Sequence, residues 1–167
     1  MKIPKVALIG AFTILPLAGC ASRPSVLNSV GPEPLAGSAA AFNQDGFGNL
    51  RVYTATETRE VGDNTFYYPH TGYTIYTKSG RLWKYVPNHT FREDEVPAWV
   101  SIPAGKYTIK AKSDLYSLAL VPVVIQEGRT TVVHLESGWR PPAIDSRELV
   151  VHLPNGEAVG WGSQKAN

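Results

Sequence analysis

The chain has 167 residues, a formal net charge of +2, and charged side chains at 18% of positions. This length suits one domain, and a hydrophobic content of 43% with four tryptophans and eight tyrosines is enough for a packed core. A charge this close to zero offers no electrostatic footprint for nucleic acid or for anionic lipid. Composition therefore excludes nucleic acid as an expected partner and indicates a single globular unit.

Residues 1–19 have the layout of an export signal. Two lysines lie near the first residue, an apolar run extends from Val6 to Leu15, and small residues precede Cys20. The run is too short to cross a bilayer, which takes about 20 apolar residues. We therefore expect this segment to be removed.

The four residues Leu17, Ala18, Gly19 and Cys20 resemble the lipobox of bacterial lipoproteins position by position. The resemblance implies that a signal peptidase recognises the first three and cuts before Cys20. It also implies a diacylglycerol on the Cys20 sulfur, which acts as the nucleophile, and an acyl chain on the new amino group. By the sorting rule of that family, Ala21 implies the outer membrane of a Gram-negative cell. No cofactor other than this covalent lipid is expected.

The alternative for this cysteine is an ordinary signal peptide that ends near an unmodified thiol. An exposed unpaired thiol is a liability in an oxidising compartment, so the lipid anchor also explains why the chain has one cysteine. Cleavage removes two of the sixteen basic residues and none of the fourteen acidic ones. The mature chain would then carry no net charge.

Residues 20–41 are rich in Ala, Ser, Pro and Gly and show no sustained period. They predict an acylated cysteine followed by a flexible tether, with an extended reach of at most about 70 Å. The alternative is that part of the interval, Val26 to Val30, packs on the domain as a short strand. Residues 42–167 form the expected domain.

Beyond Phe42 the hydrophobicity alternates with period two, which is typical of β-strands. The clearest strand places Tyr107, Ile109 and Ala111 inward and lysines outward. Turns are expected at Ser79-Gly80, at Glu127-Gly128 as a hairpin, and at Asn155-Gly156 as type I′. Pro122 predicts an edge strand or a bulge. The pattern predicts an all-β fold, a single antiparallel sandwich of seven to nine strands.

The segment from Val100 to Leu135, with "VSIPAGKYTIKAKS" and "EGRTTVVHL", resembles the last half of PEGA and carboxypeptidase-regulatory-like modules. The resemblance implies a transthyretin-like or Ig-like sandwich. Such modules are mostly binding or spacer domains, so it implies no catalytic residues. The chain also lacks the G-x-S-x-G, H-E-x-x-H, phosphate-loop and C-x-x-C motifs. We therefore expect no enzyme; catalysis by residues far apart in sequence is the alternative.

The chain has four histidines, each of which is a candidate metal ligand or a structural residue. His134 and His152 lie among valines and leucines of predicted strands, where a hydrogen-bonded structural role is favoured. His70 and His89 lie in loops, and Asp94 would complete a metal site if those loops met. The expectation is that no metal binds, and these three residues are the weak candidates.

Aromatic side chains concentrate between residues 67 and 85. Tyr67, Tyr68, Tyr73, Trp83 and Tyr85 form the candidate binding face, because exposed rings suit sugars and protein partners. The alternative is that these rings pack in the core, as aromatic residues in strands usually do.

Two functions stay open at this point. The favoured one is an anchored, non-catalytic module that binds or scaffolds another envelope protein, including by strand addition at an open sheet edge. The other is binding of carbohydrate or peptidoglycan through the aromatic face. An enzyme is third.

Overall fold

The computed structural model describes residues 28–34, 46–62, 64–91, 93–142 and 149–163. Within these ranges the predicted all-β class is confirmed, with no α-helix and hence no helix of the length and apolarity that spanning a membrane requires. The strands are β1 (Phe47–Tyr53), β2 (Arg59–Val61), β3 (Thr65–Tyr67), β4 (Tyr73–Thr77), β5 (Leu82–Val86), β6 (Val100–Pro103), β7 (Gly105–Ala111), β8 (Ala119–Ile125), β9 (Thr130–His134), β10 (Val150–His152) and β11 (Ala158–Trp161). Short strands such as β2, β3 and β10 raise the number above the expected seven to nine.

Two sheets enclose the core. One has four antiparallel strands in the order β5-β4-β7-β8, and the other has three in the order β6-β1-β9. Two further pairs, β2-β3 and β10-β11, are antiparallel hairpins. The side chains buried completely between the layers are mainly aliphatic: Leu50, Val52, Ile75, Ile102, Ile109, Val121 and Val133. This arrangement is consistent with the predicted sandwich.

Strand β7 follows its predicted alternation. Ile109 and Ala111 are buried and Tyr107 is partly buried, whereas Lys106 and Lys110 are exposed. Pro122 also fits its prediction, because β8 is the last strand of its sheet. The Pro122 carbonyl points away from β7, toward Val30. Because the N–H and the carbonyl of a strand residue point to the same side, the missing N–H of Pro122 removes no hydrogen bond from the β7-β8 pair.

The expected hairpin at Glu127-Gly128 is wrong. The chain does turn there, with Gly128 at a φ of 66°. After this turn the chain passes from the four-stranded sheet to the three-stranded sheet. There β9 pairs in parallel with β1, with Asn49 opposite Thr130. All five residues of β9 are buried, which is the pattern of a strand covered on both faces.

The outer edge of β8 is occupied by the N-terminal segment instead. The Val30 N–H donates to the Pro122 carbonyl at 2.9 Å, and the Val124 N–H donates to the Val30 carbonyl at 2.8 Å. Val30 has no exposed surface and belongs to the core. Residues 28–34 fall inside the interval assigned to the tether, so this part of it packs on the domain; the rest of residues 20–41 lies outside the described residues.

Two hairpin turns are longer than their dipeptides predicted. Both are three-residue loops, Lys78 to Gly80 and Pro154 to Gly156, in which the glycine alone has a positive φ. Type I′ at Asn155-Gly156 is therefore wrong, because that turn needs a positive φ at both residues. Pro154 fixes its own φ near −65°, which starts a type I turn one residue earlier.

Candidate functional site

Leu17, Ala18, Gly19 and Cys20 lie outside the described residues. The other predicted site residues, those of the candidate binding face and the candidate metal ligands, lie within the described ranges.

The five aromatic residues of the candidate face do not share one surface. Tyr73 is 1% exposed and points into the core, so it is not available for binding. Trp83 is partly buried and meets Tyr107 edge to face, with ring centroids 6.1 Å apart. Tyr73 and most of the Trp83 ring therefore pack in the core, as the alternative for these aromatic residues predicted.

The other three rings lie elsewhere. Tyr85 is 61% exposed on the opposite side of its sheet, where its ring covers Gly72. Tyr67 is partly buried, and Tyr68, which is 49% exposed, follows β3. The candidate face is thus divided between the core, the outside of one sheet and the β2-β3 hairpin.

A β-bulge in β5 causes part of this division. Ile75 pairs with Lys84, but Tyr76 pairs with Leu82, so Trp83 is an extra residue without a partner in the ladder. A bulge of this kind redirects the side chain. It turns Trp83 toward Tyr107, and sequence alternation alone does not reveal it.

Two of the three metal candidates make other contacts, whereas the Nδ1 of the third, His89, is buried and has no hydrogen-bond partner among the described residues. His70 Nδ1 lies 2.5 Å from the Thr54 carbonyl oxygen. The Asp94 carboxylate accepts hydrogen bonds from the backbone N–H groups of Thr90 and Phe91, at 3.1 and 2.9 Å. Across the described ranges, no three or more His, Cys, Asp or Glu side chains are grouped to hold a metal ion.

Exposed apolar side chains gather on two neighbouring segments, the β2-β3 hairpin and the loop from β5 to β6. The backbone N–H of Tyr68 donates to the Glu95 carboxylate at 2.8 Å, which joins the segments. We call these residues the aromatic loop surface, and their exposed fractions are large: Phe66 49%, Tyr68 49%, Phe91 67%, Val96 62% and Trp99 51%. Of these five residues, only Tyr68 belongs to the candidate binding face predicted from the sequence. The available signal was the placement of Phe91, Val96 and Trp99 in a polar loop that has no strand pattern.

Asn88 fixes the β5-β6 loop to the core. Its side-chain amide donates to the carbonyl oxygens of Val52 at 2.9 Å and Thr71 at 3.2 Å, and its own oxygen accepts from the Ala98 N–H at 3.2 Å. Asn88 is 1% exposed and has a φ of 71°, a region that Asn tolerates better than most residues. The loop is therefore held at its base by a buried, satisfied amide.

Arg51 of β1 supports the other end of the loop. Its guanidinium carbon lies 4.4 Å from the Trp99 ring centroid, and its Nε donates to the Pro97 carbonyl at 3.1 Å. The cation–π contact and the hydrogen bond together position the Trp99 ring while half of it stays exposed.

A stack of rings covers the end of β1 and β9. The His134 ring lies between Tyr53 and Trp139, with centroid distances of 4.8 and 4.2 Å and nearly parallel planes. Its Nδ1 is 2.8 Å from the Glu136 carboxylate, which also approaches His70 Nε2 at 3.7 Å. His134 thus has the expected structural environment, whereas His152 is exposed on β10.

Among the residues that the structure describes, three groups have pKa values shifted by burial. Burial raises the pKa of the Glu33 carboxyl, and His134 partly opposes this by favouring the carboxylate. Burial also raises the pKa of the Tyr73 and Tyr107 hydroxyls. Tyr107 donates to the Pro103 carbonyl at 3.0 Å, and both tyrosines pack in or against the core. These shifts reflect packing and do not single out a reactive group.

Comparison of the chain with protein-family models, with curated proteins and with solved structures found no match.

Proposed function

We propose that the protein is a lipid-anchored, non-catalytic module of the bacterial envelope that binds a protein partner through the aromatic loop surface. The observation that carries this proposal is the set of five apolar side chains, each about half exposed or more, on two segments joined by the exposed Tyr68–Glu95 hydrogen bond. One of these segments, the β5-β6 loop, is fixed to the core by the buried Asn88 amide. The anchor is supported by the lipobox resemblance at Cys20, and the outer membrane by Ala21. No cofactor is proposed.

A protein partner fits the composition and stiffness of this surface. Aromatic residues and arginine are enriched at the centres of protein interfaces, where they contribute most of the binding energy. Because Asn88 and Arg51 already hold the loop, little conformational entropy would be lost on binding. Exposed Glu93 and Glu95 beside the rings would orient a partner with basic residues.

Strand addition at β5 has less support. This edge strand has five residues, carries exposed Lys84 and is bulged at Trp83. Short length, lysine and bulges are the features by which natural edge strands avoid pairing with other chains. Side-chain docking on the aromatic loop surface is therefore favoured over backbone pairing.

Binding of glycan or peptidoglycan is also less supported, because the rings first assigned to it are dispersed. Tyr73 is buried and Trp83 packs on Tyr107, which leaves Tyr68 and Tyr85 on separate elements. Sugar-binding sites usually need several polar groups placed beside the rings.

Site-specific photo-crosslinking in cells tests the proposal. A photoreactive residue at Val96 should capture one defined protein, and the same residue at Ser101, exposed on β6, should not. Cys20→Ser should abolish the adduct by mislocalising the chain. Phe91→Ser should weaken it several-fold, whereas Leu115→Ser, a change at an equally apolar exposed residue of another loop, should not.

Equal capture at Val96 and Ser101, or equal effects of Phe91→Ser and Leu115→Ser, would contradict the proposal. Co-sedimentation with insoluble peptidoglycan that soluble oligosaccharide reverses would favour the glycan alternative.

A further inference from the structure

Charge is unevenly distributed over the domain. The four-stranded sheet and its β4-β5 turn contain five basic residues and no acidic one: Lys78, Arg81, Lys84, Lys106 and Lys110. All five are exposed. Among the described residues, no ion pair connects any of them to a carboxylate. The neutrality of the mature chain, which argued against binding to anionic lipid, therefore conceals a local excess of positive charge on this sheet.

Two of these basic residues, Lys106 and Lys110, lie on an apolar surface, whereas Lys84 is paired with the core residue Ile75 and lies on the other side of the sheet. We call the side of the four-stranded sheet away from the core the outer face; Lys106, Thr108 and Lys110 of β7 lie on it because Tyr107 and Ile109 point inward. Its apolar members come from the flanking strands: Tyr76, Leu82, Tyr85, Leu120, Pro122 and Val124. Leu82 and Tyr85 are 58% and 61% exposed. Lysine beside tyrosine and aliphatic groups suits the headgroup region of an anionic bilayer.

The N-terminal segment keeps this sheet close to the expected anchor. The Ser29 carbonyl accepts a hydrogen bond from the Ser163 N–H at 3.0 Å, and Val30 follows on the edge of β8. Nine residue steps separate Cys20 from Ser29, so the reach between them is at most about 32 Å instead of about 70 Å. That reach is about the width of a domain of this size, whose radius of gyration is about 14 Å.

We propose that the outer face of the four-stranded sheet docks on the anionic surface of the bilayer that holds Cys20. This inference rests on the lipid anchor of the proposed function. Electrostatic attraction extends only about 8 Å at physiological ionic strength, so it acts on a surface that a short tether already holds near the membrane. An open depression between Lys78 and Lys106, also lined by the hydroxyl residues Thr77 and Ser79, gives a lipid phosphate room at one end of this sheet.

This orientation is compatible with partner binding. Strand β8, where the N-terminal segment joins, and β5, where the loop to β6 begins, are the two opposite edges of the sheet. The aromatic loop surface thus extends from the edge farther from the anchor, and a protein in the same compartment can reach it.

Fluorescence quenching on vesicles tests the orientation. The acylated mature protein is reconstituted into phosphatidylcholine vesicles with or without phosphatidylglycerol, and nitroxide-headgroup lipid is the quencher. One environment-insensitive dye is attached at Thr108→Cys on the outer face and, in a second sample, at Ser101→Cys on the other sheet. Because acylation blocks the thiol of Cys20, the introduced cysteine is the only one that reacts.

We expect several-fold stronger quenching at position 108 than at 101, and only with phosphatidylglycerol. Lys106→Glu with Lys110→Glu, or high salt, should remove the difference. Arg59→Glu with Arg140→Glu makes the same change in net charge away from this sheet and should leave it intact.

Equal quenching at both positions, or quenching that ignores the Lys106 and Lys110 changes, would overturn the orientation. The orientation would also be overturned if vesicles left the dye at position 108 unquenched and only an acidic envelope protein shielded it. Absence of acyl groups on Cys20 by mass spectrometry would overturn the anchor and this inference together. Loss of crosslinks at Val96 with the quenching difference preserved would overturn only the partner proposal.

Discussion

The side-chain amide of Asn88 donates a 2.9 Å hydrogen bond to the backbone carbonyl of Val52, which lies 36 positions earlier in the chain. This contact joins the loop that carries Phe91, Val96 and Trp99 to the central strand of the three-stranded sheet. The base of a surface loop is thereby attached to a strand that lines the core.

Replacing Asn88 should therefore destabilise the domain. Asn88→Ala leaves buried carbonyl groups without a donor and places Ala at a φ of 71°, and we expect a loss of about 3 kcal/mol in the free energy of unfolding. Asn88→Gly also loses the hydrogen bonds, but glycine adopts the left-handed backbone conformation without strain. It should therefore be about 1 kcal/mol more stable than Asn88→Ala. Urea denaturation measures both. Ser101→Ala, at an exposed strand position, is the control; an equal loss there would contradict the role of Asn88.

Close approach of the backbone at Gly48 makes a second prediction. A Cβ atom there would lie 2.8 Å from Ile125 Cγ2 and 3.0 Å from the Arg129 carbonyl oxygen, where no flexible side-chain end can move aside. Gly48→Ala should lower the free energy of unfolding by about 3 kcal/mol through overpacking. Gly62→Ala meets open space at a φ of 63° and should lower it by about 1 kcal/mol, the cost of the left-handed conformation alone. Similar losses for both variants would refute the steric explanation.

Glu33 should make the stability of the domain depend on pH. Burial raises the pKa of this carboxyl in the folded state, so the folded protein retains the proton more strongly than the unfolded chain does. The stabilisation is present below the unfolded pKa and is lost as the pH rises through the folded pKa. Glu33→Gln should therefore be more stable than the wild type at neutral pH, and the two should converge near pH 4. Denaturation curves at both pH values test this, and a gap that widens toward low pH would contradict it.

Truncation should show where the folded unit begins. A chain that starts at Leu35 loses the buried Val30 side chain and the backbone bonds of residues 29–33, whereas one that starts at Asn28 keeps them. Burial of one valine contributes about 1.5–3 kcal/mol, and each backbone bond about 1 kcal/mol. We expect the shorter chain to lose at least about 3 kcal/mol in the free energy of unfolding, or to fail to fold. Equal melting temperatures for the two chains would show that this segment is dispensable.

Local patterns predicted the strands better than their pairing. The alternation of Tyr107, Ile109 and Ala111 is visible in the sequence because each side chain responds to its own face of the sheet. The parallel pairing of β9 with β1 is not visible, because a tight turn at Gly128 is equally compatible with a hairpin and with a change of sheet. Val30 occupies the edge of β8 that a hairpin partner would have taken, and it comes from a segment whose composition resembles a linker.

The aromatic loop surface could not be predicted from the sequence for a related reason. Tyr73 and Tyr85 are both strand tyrosines, and only the position of the second layer makes one a core residue and the other exposed. Phe91 and Trp99 lie in a stretch without a period, so their exposure depends on long-range contacts of Asn88 and Arg51. Sequence periodicity carries no information about such contacts.

The pairing of β1 with β9 has a consequence for how the chain acquires its structure. Asn49 and Thr130 are 81 positions apart, so the central strand of one layer has no partner on that side until four-fifths of the chain has been made. Contacts of such long range slow folding, because closing a long loop precedes the stabilisation it brings. The three-stranded sheet is therefore completed only after all strands of the four-stranded sheet, β4, β5, β7 and β8, have been made.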